Sequence, residues 1–161
     1  MYSLPWTSTP IGFLSGVSHS TGVPRAYALP STGGNNGDVV TGTILVDSFD
    51  AYALFDSGAS FLFVSEGFVA RAGLSMQKIG QSIVVSSAKG SISSHLICPC
   101  WYIVLAEEGF VAILVVIPLE SFDVILGMDW LSQYQAIISS LWKTISLHAP
   151  SGREAIFLGV L

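Results

Sequence analysis

Ala53-Leu54-Phe55-Asp56-Ser57-Gly58-Ala59-Ser60 decides how this chain is read. An apolar run with β propensity ends on a carboxylate, and a tight turn follows at once. Asp-Ser-Gly can be an ordinary turn, but its residue types also suit one particular chemistry. Hydrolysis of a peptide bond by paired carboxylates needs one group to take a proton from water while the other donates to the carbonyl oxygen. Two carboxylates held close together share a proton, because both cannot ionise at that distance. Each must therefore stand on a tight loop near its twin. Gly58 allows backbone to approach backbone there, and the Ser57 hydroxyl can hydrogen-bond across the pair.

Further along stands Phe122-Asp123-Val124-Ile125-Leu126-Gly127-Met128-Asp129-Trp130-Leu131, an apolar strand running through glycine straight into a short helix. By itself it fits any strand-turn-helix. Combined with the first motif it supplies the brace that a carboxylate loop needs from beneath. Asp123 reads as a structural residue at a strand start, and Asp129 as one that favours a helix N-terminus.

Together the two motifs resemble the retropepsin-like domain of plant Ty3/gypsy-type retrotransposon polyproteins, from about Asp38 to Phe157. The resemblance implies a homodimeric aspartic endopeptidase that cuts its own Gag-Pol polyprotein, with a β-hairpin flap over the polypeptide substrate. Carried over, Asp56 is the catalytic carboxylate, and Ser57 and Gly58 complete the triplet. Ala59 forms the adjacent loop wall, and Ser87 to Ser91 match the flap, so Ala88, Lys89 and Gly90 join Ala59 as substrate-binding residues. Gly127 and Asp129 fall in the motif that supports the active-site loop. Met128 stands where many viral members have Arg. Phe61-Leu62 replaces the usual His-Ser, and Ser139-Ser140 replaces an Asp-Cys pair.

Only one Asp-(Ser/Thr)-Gly occurs in the 161 residues, so a complete two-lobed site within one chain is excluded. Function therefore divides three ways. The first is a dimeric aspartic protease. The second is a catalytically inactive, degenerate retropepsin-fold module acting in dimerisation or peptide binding. The third is a domesticated protease within a host protein, as in ubiquitin-shuttle proteins. Neither a zinc knuckle upstream nor a polymerase motif downstream is seen, which reads as a fragment or a truncated product.

The rest of the chain fits an all-β, retropepsin-like acid-protease barrel, one lobe per chain, with one or two short helices. Residues 1–37, rich in Ser, Thr, Gly and Pro, read as a disordered or linker leader, and 38–161 as the protease domain. Strands are expected at Val39 to Val46, Ala51 to Phe55, Phe61 to Val64, Ile83 to Ser86, Leu96 to Val104, Val111 to Ile117 and Phe122 to Leu126. Further strands are expected at Ile137-Ile138, Thr144 to Leu147 and Ala155 to Leu158. Ser65 should cap a helix over Glu66 to Ala72 that Gly73 ends, and Met128 to Tyr134 should form another.

Composition narrows the function classes. Charged residues make up 11% and the net charge is −5, with no basic cluster, which argues against nucleic-acid binding by this domain. No apolar run approaches the roughly 20 residues of a membrane helix, and Pro5 and Pro10 interrupt the N-terminus, so neither a membrane span nor a signal peptide is expected. A cytoplasmic protein is the expectation. The two cysteines, Cys98 and Cys100, share one strand face and read as reduced thiols packed in the core. The three histidines are scattered, so no metal site and no cofactor are expected.

Overall fold

The computed structural model describes residues 25–27, 39–87 and 90–160. Its elements are β1 (Arg25–Tyr27), β2 (Val39–Val46), β3 (Phe49–Asp56), β4 (Phe63–Ser65), α1 (Glu66–Ala72), β5 (Gln77–Ser87), β6 (Gly90–Leu105) and β7 (Glu108–Ile117). They continue with β8 (Val124–Leu126), α2 (Met128–Gln133), β9 (Ile137–Ser139), β10 (Thr144–His148) and β11 (Glu154–Leu158). The strands run in the order β6-β2-β3-β8-β4-β7, and β7 pairs back onto β6, closing a six-stranded barrel. Closure removes the free edges that an open sheet of this apolarity would expose. A separate three-stranded sheet, β11-β10-β9, packs beside it.

Local chemistry sets the tight elements. β2 and β3 join through Asp47 and Ser48, both at positive φ (50° and 72°), the backbone of a two-residue hairpin turn that matches strand twist. Ala106 and Glu107 do the same between β6 and β7 (50° and 65°). Ser65 Oγ accepts the Phe68 N–H at 3.0 Å at the start of α1, and Gly73 ends the helix in the left-handed region.

β4, β8 and the second half of β7 are buried on both faces, and the alternation of their side chains shows why. On β7, Ala112, Leu114 and Val116 point into the main core, while Ile113, Val115 and Ile117 point into a second apolar cluster. Val124 and Leu126 of β8 likewise face the main core, with Ile125 in the second cluster. Residues one apart on a strand point to opposite sides, so continuous apolar runs are what two clusters require. Phe157 fastens the three-stranded sheet to the barrel: its ring lies 5.1 Å from Phe55, over Gly42. A Cβ on Gly42 would come within 2.5 Å of that ring.

The expected elements are all present, with shifted ends at several. β5 and β6 are much longer than the runs Ile83 to Ser86 and Leu96 to Val104, because they pair along their length across an irregularity between Lys78 and Ile83. The strand expected from Phe122 begins only at Val124, since Asp123 turns its carboxylate back to the Tyr52 N–H (2.9 Å) and to Arg71 (3.2 Å). Asp123 is structural, as its position at a strand start implies. Cys98 is buried in the main core. Apart from Arg25–Tyr27, the segment read as a leader lies outside the described residues.

Candidate active site

Asp56 is the last residue of β3, opposite Val39 of β2. The chain turns there: the Ala59 N–H donates to the Asp56 carbonyl at 3.2 Å, and the Gly58 N–H donates to Asp56 Oδ1 at 2.8 Å. This second bond orients the carboxylate, and a Cβ at position 58 would crowd the same oxygen at 3.1 Å. Asp56 is 8% exposed. Burial pushes its carboxyl above the ordinary carboxylate range, and the Gly58 N–H partly opposes this by favouring the charged form. Ser57 and Gly58 are exposed, so the triplet lies at the surface of the single chain, with the buried Ala59 behind it.

The brace beneath this loop is made of backbone. The Met128 N–H donates to the Ala59 carbonyl at 2.8 Å and the Asp129 N–H donates to the Ser60 carbonyl at 3.2 Å. Gly127 permits the approach, because a Cβ there would lie 2.6 Å from the Ala59 carbonyl oxygen and 2.2 Å from that of Phe61. Asp129 is pushed up to about 6 by burial, and its Oδ2 is buried without a hydrogen-bond partner, as is the Trp130 Nε1. The Trp130 ring is enclosed by Phe55, Phe110 and Tyr134, with centroids 6.4, 5.3 and 5.3 Å away, which anchors α2 in the core.

The second apolar cluster joins this loop to the β5–β6 hairpin. Ala59 and Phe61 share it with Ile83 and Val85 of β5, Ile97 of β6 and Ile125 of β8. The sequence singled out none of Ile83, Val85, Ile97 or Ile125 as site residues; the alternation Ile83-Val84-Val85-Ser86 on a strand leading to the hairpin tip was the available signal. Gly90 closes the hairpin opposite Ser87 and is exposed, at φ +125°. Ala88 and Lys89 lie outside the described residues. The replacements at 61 and 62 are well seated, with Phe61 in the second cluster and Leu62 in the main core. Among the described residues no group of His, Cys, Asp and Glu could hold a metal ion, and no helix is long and apolar enough to cross a membrane.

A closed barrel that presents one Asp-Ser-Gly turn over a glycine-to-helix brace defines one lobe of an acid-protease fold. The profile of the retroviral aspartyl protease family matches residues 23–153, and the chain belongs to that family. Among solved structures it is similar to the retroviral protease-like domain of Ddi1 from Leishmania major, at 14% identity and a TM-score of 0.54, covering 74% of this chain and 93% of that one. A retropepsin-like aspartic protease from Rickettsia conorii aligns at 14% identity and a TM-score of 0.47, over 79% of this chain and 88% of that one. No curated protein sequence matches the chain.

Proposed function

We propose that the chain is one half of an aspartic endopeptidase, completed by a second copy about a two-fold axis that sets the two Asp56 carboxylates face to face. One carboxylate takes a proton from a water molecule, whose oxygen attacks the peptide carbonyl carbon, while the protonated partner donates to the carbonyl oxygen. The tetrahedral diol then collapses: the C–N bond breaks as the carboxyl that took the water proton gives it to the leaving nitrogen, the other carboxylate takes a proton from a diol hydroxyl, and a carboxyl and an amine are released. In this reading the β5–β6 hairpin covers the bound polypeptide. The substrate is the Gag-Pol polyprotein of a Ty3/gypsy-type retrotransposon, processed in the cytoplasm.

One observation carries the reading: a single Asp-Ser-Gly per chain, whose carboxylate is oriented by the Gly58 N–H beside an exposed Ser57. Half a dyad needs its twin, and one surface suits the pairing. The outer face of the three-stranded sheet exposes Ile137, Ile156 and Leu158, with Leu141 and Trp142 also exposed in the turn before β10. Apolar exposure of this kind marks an interface.

The test is a polyprotein-derived peptide incubated with the wild-type chain and with Asp56→Asn. The substitution keeps size and shape but removes the ionisable group, so the fold should survive and cleavage should stop. Equal cleavage by both chains contradicts the assignment. A sound dimer with no cleavage by either favours the rival reading, an inactive or domesticated module that only dimerises or binds peptide.

A further inference from the structure

The β5–β6 hairpin is not a two-stranded ribbon. Arg25–Tyr27 runs parallel along the outer edge of β5, in the register Arg25 with Val84, Ala26 with Val85 and Tyr27 with Ser86. The strand order β1-β5-β6 therefore places a short segment from far up the chain on the hairpin's free edge. It docks just short of the hairpin end at Ser87 and Gly90. The same stretch of β5 carries Val85, which shares the second apolar cluster with Ala59 beside the Asp56 turn.

Two physical consequences follow. An isolated two-stranded ribbon is marginal in water, and a third strand adds backbone hydrogen bonds along the edge that would otherwise fray. Parallel pairing also fixes where the segment is tethered. The next described residue after Tyr27 is Val39, the first residue of β2, which lies opposite Asp56. Arg25–Tyr27 thus lies on the hairpin, and the next described strand is the one beside the carboxylate.

We propose that residues 25–27 are a built-in strand ligand of the hairpin: docked on β5 they restrain its movement over the Asp56 turn, and undocked they release it. Recognition is by main-chain hydrogen bonding along an open strand edge, the mode by which extended peptides add to sheets. The restraint of the hairpin stands on the fold, whereas its effect on turnover rests on the protease reading above.

The experiment uses the full chain with Ala26→Pro and, separately, Tyr27→Pro. Neighbouring strand residues point their N–H groups to opposite edges, so one of the two removes a donor from the ladder with β5. Amide hydrogen exchange is read at Val84 to Ser86 and Gly90 to Ile92, in an Asp56→Asn background so that self-cleavage cannot remove the segment. Amides of β2 and β3 report whether the barrel is intact. At least one proline variant should speed hairpin exchange by about tenfold with the barrel amides unchanged. In the Asp56 chain that variant should raise kcat/KM on a short peptide several-fold. Unchanged hairpin exchange in both variants overturns the docking. Faster exchange with equal or slower cleavage overturns the release. If the wild-type chain cleaves nothing, the protease reading fails and the release with it, while exchange still decides whether the segment restrains the hairpin.

Discussion

Gly127 lies so close beneath the Asp56 turn that a Cβ on it would stand 2.2 Å from the carbonyl oxygen of Phe61. The obstructing atoms belong to the backbone and cannot rotate aside. Gly127→Ala should therefore cost about 3 kcal/mol or more, at the top of the range for overpacked cores, and should displace the Asp56 turn. A urea midpoint within error of the wild type would show that the loop can shift without cost.

Leu158 is 74% exposed and Ile156 57%, whereas Phe157 between them is packed against Phe55. Removing the whole terminal strand would thus disturb the core as well as any interface. Ile156→Asp with Leu158→Asp separates the two effects. Each alters exposed surface, so the chain should stay folded, with a stability change near the ~0.5 kcal/mol typical of surface positions. It should sediment as a monomer and lose cleavage. A variant that remains dimeric would place the interface on another face.

Asp129 holds its proton more tightly in the folded chain, with a pKa of about 6, than in the unfolded chain, at about 3.9. Its contribution to stability is fully present below about pH 4 and is lost as pH rises through about 6. Solvent screening of a partly exposed group reduces the effect to about 1–2 kcal/mol. Asp129→Asn should flatten that decline. Urea denaturation at pH 4 and pH 7 checks it, and an identical pH dependence in the variant would remove Asp129 as the cause.

Turnover should follow a bell-shaped pH profile, since one Asp56 of the pair must be protonated and the other ionised. Burial already raises the Asp56 carboxyl in the single chain, and a second carboxylate opposite it would raise one of the two further. Cleavage should fall away towards alkaline pH as the shared proton leaves. A rate that climbs steadily through neutral pH would point to a different nucleophile.

How far the sequence could be read follows the range of the interactions. Helix α1 was legible to the residue, because the Ser65 cap, Glu66 in the first turn and Gly73 are neighbours in the chain. The Asp56 turn and the Gly127 segment could be paired as motifs, although the reason for Gly127, a backbone contact with Ala59 and Phe61, lies in their meeting in space. Strand β5 from Gln77 to Ser82 was missed: Gln77-Lys78-Ile79-Gly80-Gln81-Ser82 has no apolar alternation, and what holds it in the sheet is the pairing of Gln77 and Lys78 with Ile97 and Leu96 of β6 before the irregularity, and of Ile83 onward after it. Arg25–Tyr27 was beyond reach for the same reason, since three residues carry no period and their partner, Val84–Ser86, is far along the chain.

Mixing wild-type chain with an excess of Asp56→Asn chain tests the central claim most directly. If each active unit needs an Asp56 from both copies, mixed dimers are dead. At fixed total chain, peptide cleavage should then fall as the square of the wild-type fraction, while the sedimenting dimer persists. Cleavage proportional to the wild-type fraction would mean that one Asp56 is enough, and would contradict a dyad shared between two chains.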